Sequence, residues 1–164
     1  LNQGTDHLEV IRSESARFSQ VAHQLDLATP VPSCPDWSSA DLVHHLAEVQ
    51  DFWSQVVRGA DGEDATDLPR PADDAALPDA YDAASGRLVA ALEQADPTGS
   101  CWSWHEDGHS IAWVLRRQAH EVLVHRVGAE LAAGKPRPAA GRGIGDRDAL
   151  PAETFRSIVA DATQ

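Results

Sequence analysis

Two stretches of this chain place imidazoles and a carboxylate where they can act together. His44 and His45 are neighbours in one, and Gln118, Glu121 and His125 recur at spacings of three and four in the other. Such spacings bring side chains to one face of a helix. Val114, Leu115, Val122 and Ala129 flank the second strip, which predicts that it faces inward. A buried carboxylate without compensation costs on the order of several kcal/mol, so Glu121 needs a partner. Three partners are open from the residues alone: His125, an arginine such as Arg117 or Arg126, or a metal ion shared with a histidine from another helix.

Helical periodicity separates the two adjacent histidines. Steps of three and four from His45 reach Leu42, Val49, Phe52 and Val56, an apolar stripe. The same steps from His44 reach Asp41, Glu48, Asp51 and Gln55, a polar one. His45 is therefore predicted to point into the core and His44 to water. A lone inward histidine is commonly a core residue bonded to a carbonyl. Joined by Glu121 and His125, it completes two imidazoles and one carboxylate with a vacant fourth position, the donor set of catalytic zinc. On the metal reading the expected ligands are His45, Glu121 and His125, and a buried ion pair of Glu121 with His125 or an arginine stays open beside it. Zinc is the expected ion, although iron, nickel and cobalt accept the same donors.

Four helical segments must position these groups, and no stretch reads as a strand. The first runs from about Asp6 to Leu27, with Leu8, Ile11, Phe18, Val21 and Leu25 at helical spacing. Three prolines between Thr29 and Pro35 break it. The second starts after Trp37, where Ser38 and Asp41 resemble a capping box, and stops at Gly59. The third spans about Pro78 to Ala95, with Pro78 in its first turn. The fourth spans about Ser110 to Ala133 and ends at Gly134. The segment from Ala60 to Leu77 reads as a loop long enough to cross a helix of about 30 Å. The expected fold is thus all-α, a four-helix bundle running up-down-down-up with a long crossover between helices 2 and 3. In that arrangement helices 2 and 4 are antiparallel, and His45, Glu121 and His125 fall within about 6 Å of one height. Residues 1–134 form the expected bundle. Residues 135–164 read as a linker and a short C-terminal helix over about Ala152 to Ala162.

Composition bounds the function. The 164 residues carry 26 acidic and 13 basic side chains, a formal net charge of −13. Nucleic acid and anionic membrane surfaces are therefore not expected partners. No apolar run is long enough to span a bilayer, and the N-terminal residues lack a secretory pattern, so a cytoplasmic location is expected. Two cysteines, Cys34 and Cys101, are too few for a disulfide framework, and the topology puts them at opposite ends of the bundle. His105, Glu106 and His109 lie in a loop without helical register and read as a weak second donor group. The five tryptophans read mostly as core and lid material, with a pocket mouth open to Trp102 and Trp104.

Two motifs carry a family resemblance. Val31-Pro32-Ser33-Cys34-Pro35-Asp36-Trp37-Ser38, running into Asp41-Leu42-Val43-His44-His45-Leu46, resembles a signature of the mycothiol-dependent maleylpyruvate isomerase N-terminal domain family. That family belongs to the DinB-like superfamily of four-helix bundles. Arg117-Gln118-Ala119-His120-Glu121-Val122-Leu123-Val124-His125-Arg126-Val127-Gly128-Ala129-Glu130 resembles its second signature, His-Glu, three residues, then His-Arg. The resemblance covers roughly residues 6 to 134. It implies His45, Glu121 and His125 as ligands and mycothiol as a thiol cosubstrate. It also implies isomerisation or S-transfer on a small electrophilic molecule. A non-catalytic metal-binding or regulatory module is the alternative, and a homodimer stays open. Gly128 stands where the family usually has Asp. The isomerase itself carries a further C-terminal domain, so the resemblance allows either such a domain here or a single-domain member with another substrate.

Overall fold

A computed structural model describes residues 6–106 and 108–134. It is mostly helical, with four α-helices and one small two-stranded sheet. The expected linker and C-terminal helix in 135–164 lie outside the described residues.

Helix α1 (His7–Ala22) begins where Asp6 accepts a hydrogen bond from the Glu9 backbone N–H. It is shorter than the periodicity suggests. The chain turns after His23, and Leu25 and Leu27 pack on the core from the loop, so their apolar spacing prolongs the pattern without prolonging the helix. The Pro-rich stretch that follows corrects the all-helical expectation: β1 (Pro30–Val31) pairs antiparallel with β2 (Cys34–Ser38). Proline at a strand's first residue or on an edge removes no ladder bond, so a two-stranded ribbon tolerates what a helix does not.

Helix α2 (Ser39–Val57) opens on a true capping box. The Ser38 hydroxyl accepts from the Asp41 backbone N–H while the Asp41 carboxylate accepts from the Ser38 N–H. It ends just before Gly59, whose φ of +107° suits glycine. A 3₁₀ turn (Asp74–Ala76) leads into α3 (Leu77–Gln94), with proline in its first turn. Helix α4 (Ile111–Ala132) is capped by Ser110, which accepts from the Trp113 N–H, and ends at Gly134 with φ +67°.

Two apolar clusters hold the helices together. One joins the end of α1 (Phe18, Val21) to the starts of α2 (Leu42, Leu46) and α3 (Leu77, Tyr81) and to Val122 and Ala129 of α4. The other joins Ile11 to Trp53 and Val56, Leu88 and Leu92, and Ile111 and Val114. Ion pairs follow the same ends: Arg12 with Glu93, and His23 with Asp82.

The segment between α2 and α3 is fastened down along its length. The Gln55 side chain accepts from the Thr66 N–H at 3.0 Å and donates to the Thr66 carbonyl at 2.9 Å. Arg70 donates to Asp41 at 2.7 Å and to Asp74 at 3.0 Å. The Trp102 ring lies so close to Gly62 that any Cβ there would fall inside it.

Candidate metal centre

α2 and α4 bring the predicted residues together beside the β2–α2 junction. His45 comes from the second turn of α2, and Glu121 and His125 come from successive turns of α4. Glu121 is 2% exposed, His125 0%, and the His45 side chain 12%. The His125 Nε2 lies 3.0 Å from Glu121 Oε1, and His45 Nε2 lies 3.8 Å from the same oxygen. The two imidazoles meet edge to face with centroids 5.0 Å apart, and Trp37 backs His45 at the same distance.

The donors can be tested against a metal. All three ligand atoms lie within 4.8 Å of one another. Tetrahedral zinc with bonds near 2.0–2.1 Å needs ligand atoms about 3.3 Å apart, and the separations of 3.0 and 3.8 Å bracket that spacing. His45 Nε2 is buried and makes no hydrogen bond among the described residues. A core histidine held for packing would have a carbonyl or hydroxyl there. The arrangement is that of a donor set able to close on a divalent cation.

Electrostatics point the same way. Burial pushes the Glu121 carboxyl up, but the His125 and His45 imidazoles and the Arg117 guanidinium outweigh it and hold it far below the usual carboxylate range. Burial pushes His125 down, opposed by Glu121 and aided by His45. Glu121 is thus held towards its charged form, while burial disfavours charge on His125. Of the two arginines that the sequence offers as partners for Glu121, Arg117 approaches to 3.8 Å. Arg126 is engaged elsewhere, by Glu14 and Glu130.

A cleft of about 260 Å³ opens onto His45 and Glu121. Phe52, Trp53 and Trp104 form its apolar wall, and Thr66, Asp67 and Leu68 of the α2–α3 segment form another. Trp104 is 55% exposed, as a mouth residue would be. Trp102 packs instead against Phe52 and Gly62 and is not part of the lining. The Thr66–Leu68 wall was not visible in the sequence. Its only signal was the polar Gln55 on α2, whose side chain turns out to hold that wall.

Other sequence candidates fall differently. His44 is not a water-facing residue: its side chain is 14% exposed, with Nε2 3.4 Å from Glu48. Asp51, on the same stripe, is buried against Arg87 of α3. The stripe is polar because it meets another helix's charge as well as solvent. His105 stacks near Trp113, and among the described residues the 105–109 loop forms no three-donor group; Asp107 lies outside them. His120 is exposed, whereas Gln118 is buried in the cleft floor. Cys34 and Cys101 pack on different core clusters, and burial pushes Cys101 up, away from thiolate. A second group, His23 with Asp79 and Asp82, joins residues too far apart in sequence for any spacing to mark. It is exposed, and its 2.8 Å His23–Asp82 contact ties α1 to α3 as a solvated pair.

The family model for the mycothiol maleylpyruvate isomerase N-terminal domain matches residues 8–130. The chain belongs to that family. No curated protein and no solved structure shows significant similarity to it. The match spans all four helices and contains all three candidate ligands. In this member of the family, Gly128 is buried within α4, on the turn after His125. Among the described residues no helix is long and apolar enough to cross a membrane.

Proposed function

We propose that this chain is a metal-dependent, thiol-activating enzyme domain in which His45, Glu121 and His125 hold one divalent ion, zinc by preference. The observation that carries the reading is His45 Nε2, buried and without a hydrogen bond, facing an ionised carboxylate shared with His125. A bound ion of this kind favours thiolate over thiol at neutral pH. The chain's own residues do the rest. Glu121 serves as ligand, and the cleft admits the thiol's sulfur beside His45. Phe52, Trp53 and Trp104 offer an apolar wall to the electrophile. The S–H proton would pass to solvent, and the sulfur lone pair would form a C–S bond to an electrophilic carbon of a small molecule. That carbon's π pair would shift onto a conjugated oxygen, for isomerisation, or its leaving group would depart with the bonding pair, for S-transfer. Membership of the family supports mycothiol as the thiol and isomerisation or S-transfer as the outcome. A thiol cosubstrate suits a reducing, cytoplasmic setting.

The same reading takes the helices as a four-helix bundle, up-down-down-up, with the long crossover between α2 and α3. The end-to-end pairing of the two core clusters supports it. Cobalt-substituted protein titrated with mycothiol tests the function. The expected result is a new sulfur-to-metal charge-transfer absorption. A spectrum unchanged at saturating mycothiol contradicts thiol activation and favours a non-catalytic metal-binding module.

A further inference from the structure

The floor of the cleft holds one side chain whose chemistry the site has not used. Gln118 is 1% exposed, lines the cleft with His45 and Glu121, and has no hydrogen-bond partner for either Nε2 or Oε1 among the described residues. Buried polar atoms nearly always find partners. A buried amide with donor and acceptor both open is matched to a group that arrives from outside.

The amide's shape narrows what that group is. Donor and acceptor lie side by side in one plane, so the complement must offer an acceptor beside a donor. A carboxylate lacks the donor, and a plain alkyl thiol lacks both. A cysteine acylated on its amine and amide-linked at its carboxyl offers the pair when extended. Its own N–H and C=O then point to one side, as they do for hydrogen-bonded residues of an antiparallel ladder. Gln118 lies one turn before Glu121, about 4.5 Å along the helix axis. A cysteinyl sulfur at the ion brings that backbone unit to the same level of the cleft.

We propose that Gln118 reads the cysteine backbone of the thiol, with Nε2–H donating to its C=O and Oε1 accepting from its N–H. The contact fixes the thiol's orientation and selects capped cysteinyl thiols over simple ones. Gln118 is thus a specificity-determining residue, and its role rests on the metal-and-thiol reading above.

The test uses cobalt-loaded protein and three probes: N-acetyl-L-cysteine methylamide, its D enantiomer with a chemically identical thiol, and 2-mercaptoethanol. Affinities are read from the charge-transfer absorption. Wild type is expected to bind the L form about tenfold more tightly than the D form, the ratio that two net neutral hydrogen bonds supply. Gln118→Met, of similar length and without the amide, is expected to bring the two enantiomers level while cobalt content stays unchanged. Gln118→Glu, which keeps the acceptor and loses the donor, is expected to fall between. Equal binding of the enantiomers by wild type overturns the proposal, and so does an undiminished preference in Gln118→Met. If cobalt or every thiol fails to bind, the metal-and-thiol reading falls with it. If cobalt and thiols bind without discrimination, the role of Gln118 alone falls.

Discussion

Helix α4 carries two buried polar clusters about a turn apart, and they are completed in opposite ways. On one face Arg126 meets Glu14 of α1 and Glu130, and Arg17 reaches Glu130 at 3.0 Å. Two cations and two carboxylates cancel, and each has a partner. On the other face Glu121 and His125 meet His45 of α2. That group leaves His45 Nε2 and both amide atoms of Gln118 without hydrogen bonds. The first cluster is finished by the chain itself and joins α1 to α4. The second leaves these atoms for the ion and thiol that we propose it holds. Burial of charge is therefore no guide to function by itself; what separates the faces is whether the protein supplies every partner.

Substitutions can break this contrast, and the largest effect belongs to the unfinished face. Glu121→Ala and His125→Ala should each take bound metal from stoichiometric to background, measured by elemental analysis of purified protein, while Arg126→Ala should retain it. Metal retained in Glu121→Ala would remove the distinction between the faces.

The next effect belongs to the finished face. Arg126→Ala leaves Glu14 and Glu130 buried and under-compensated, a loss of about 3–5 kcal/mol and roughly 10 °C in Tm by calorimetry. A drop of under about 2 °C would mean that the pairs are not a structural tie.

Chelation should be smaller and confined to one face. Stripping metal from protein held at free metal about a hundredfold above its Kd should lower stability by about 2.7 kcal/mol. The same chelator should leave the denaturation midpoint of His125→Ala unmoved.

The smallest effect lies on the strap that bears the cleft wall. Arg70 pairs with Asp41 in an exposed contact, so Arg70→Met should cost less than about 1 kcal/mol. Its pH dependence is specific. The Arg70 hydrogen bond, followed by the Ser38 backbone N–H, holds the Asp41 carboxyl below its ordinary 3.8. A carboxyl depressed in the folded state contributes stability that is full above its unfolded value and is lost as pH falls through the folded one. The difference between wild type and Arg70→Met in urea denaturation should therefore be present at pH 7 and vanish in strong acid.

Much of this contrast was legible in the sequence, because helical geometry makes face assignment a matter of counting. Steps of three and four placed Gln118, Glu121 and His125 on one buried strip, as observed, whereas His44 and His45 are nearly equally covered and the polar stripe did not carry His44 to water. The caps at Ser38 and Ser110 and the stops at Gly59 and Gly134 follow from local chemistry and were equally readable. What escaped depends on non-local partners. The β1–β2 ribbon hid behind prolines that look like pure breakers. Asp51 looked solvated because Arg87, its partner, lies 36 residues away. The Thr66–Leu68 wall exists because Gln55 clasps Thr66, a contact that no periodicity announces.

Metal content in wild type, His45→Ala and His44→Ala, prepared side by side, tests the central claim most directly, since the two histidines are adjacent and chemically identical. Stoichiometric metal in wild type and His44→Ala, with none in His45→Ala, is the predicted result. Equal metal in the two variants, or none in wild type, would contradict it.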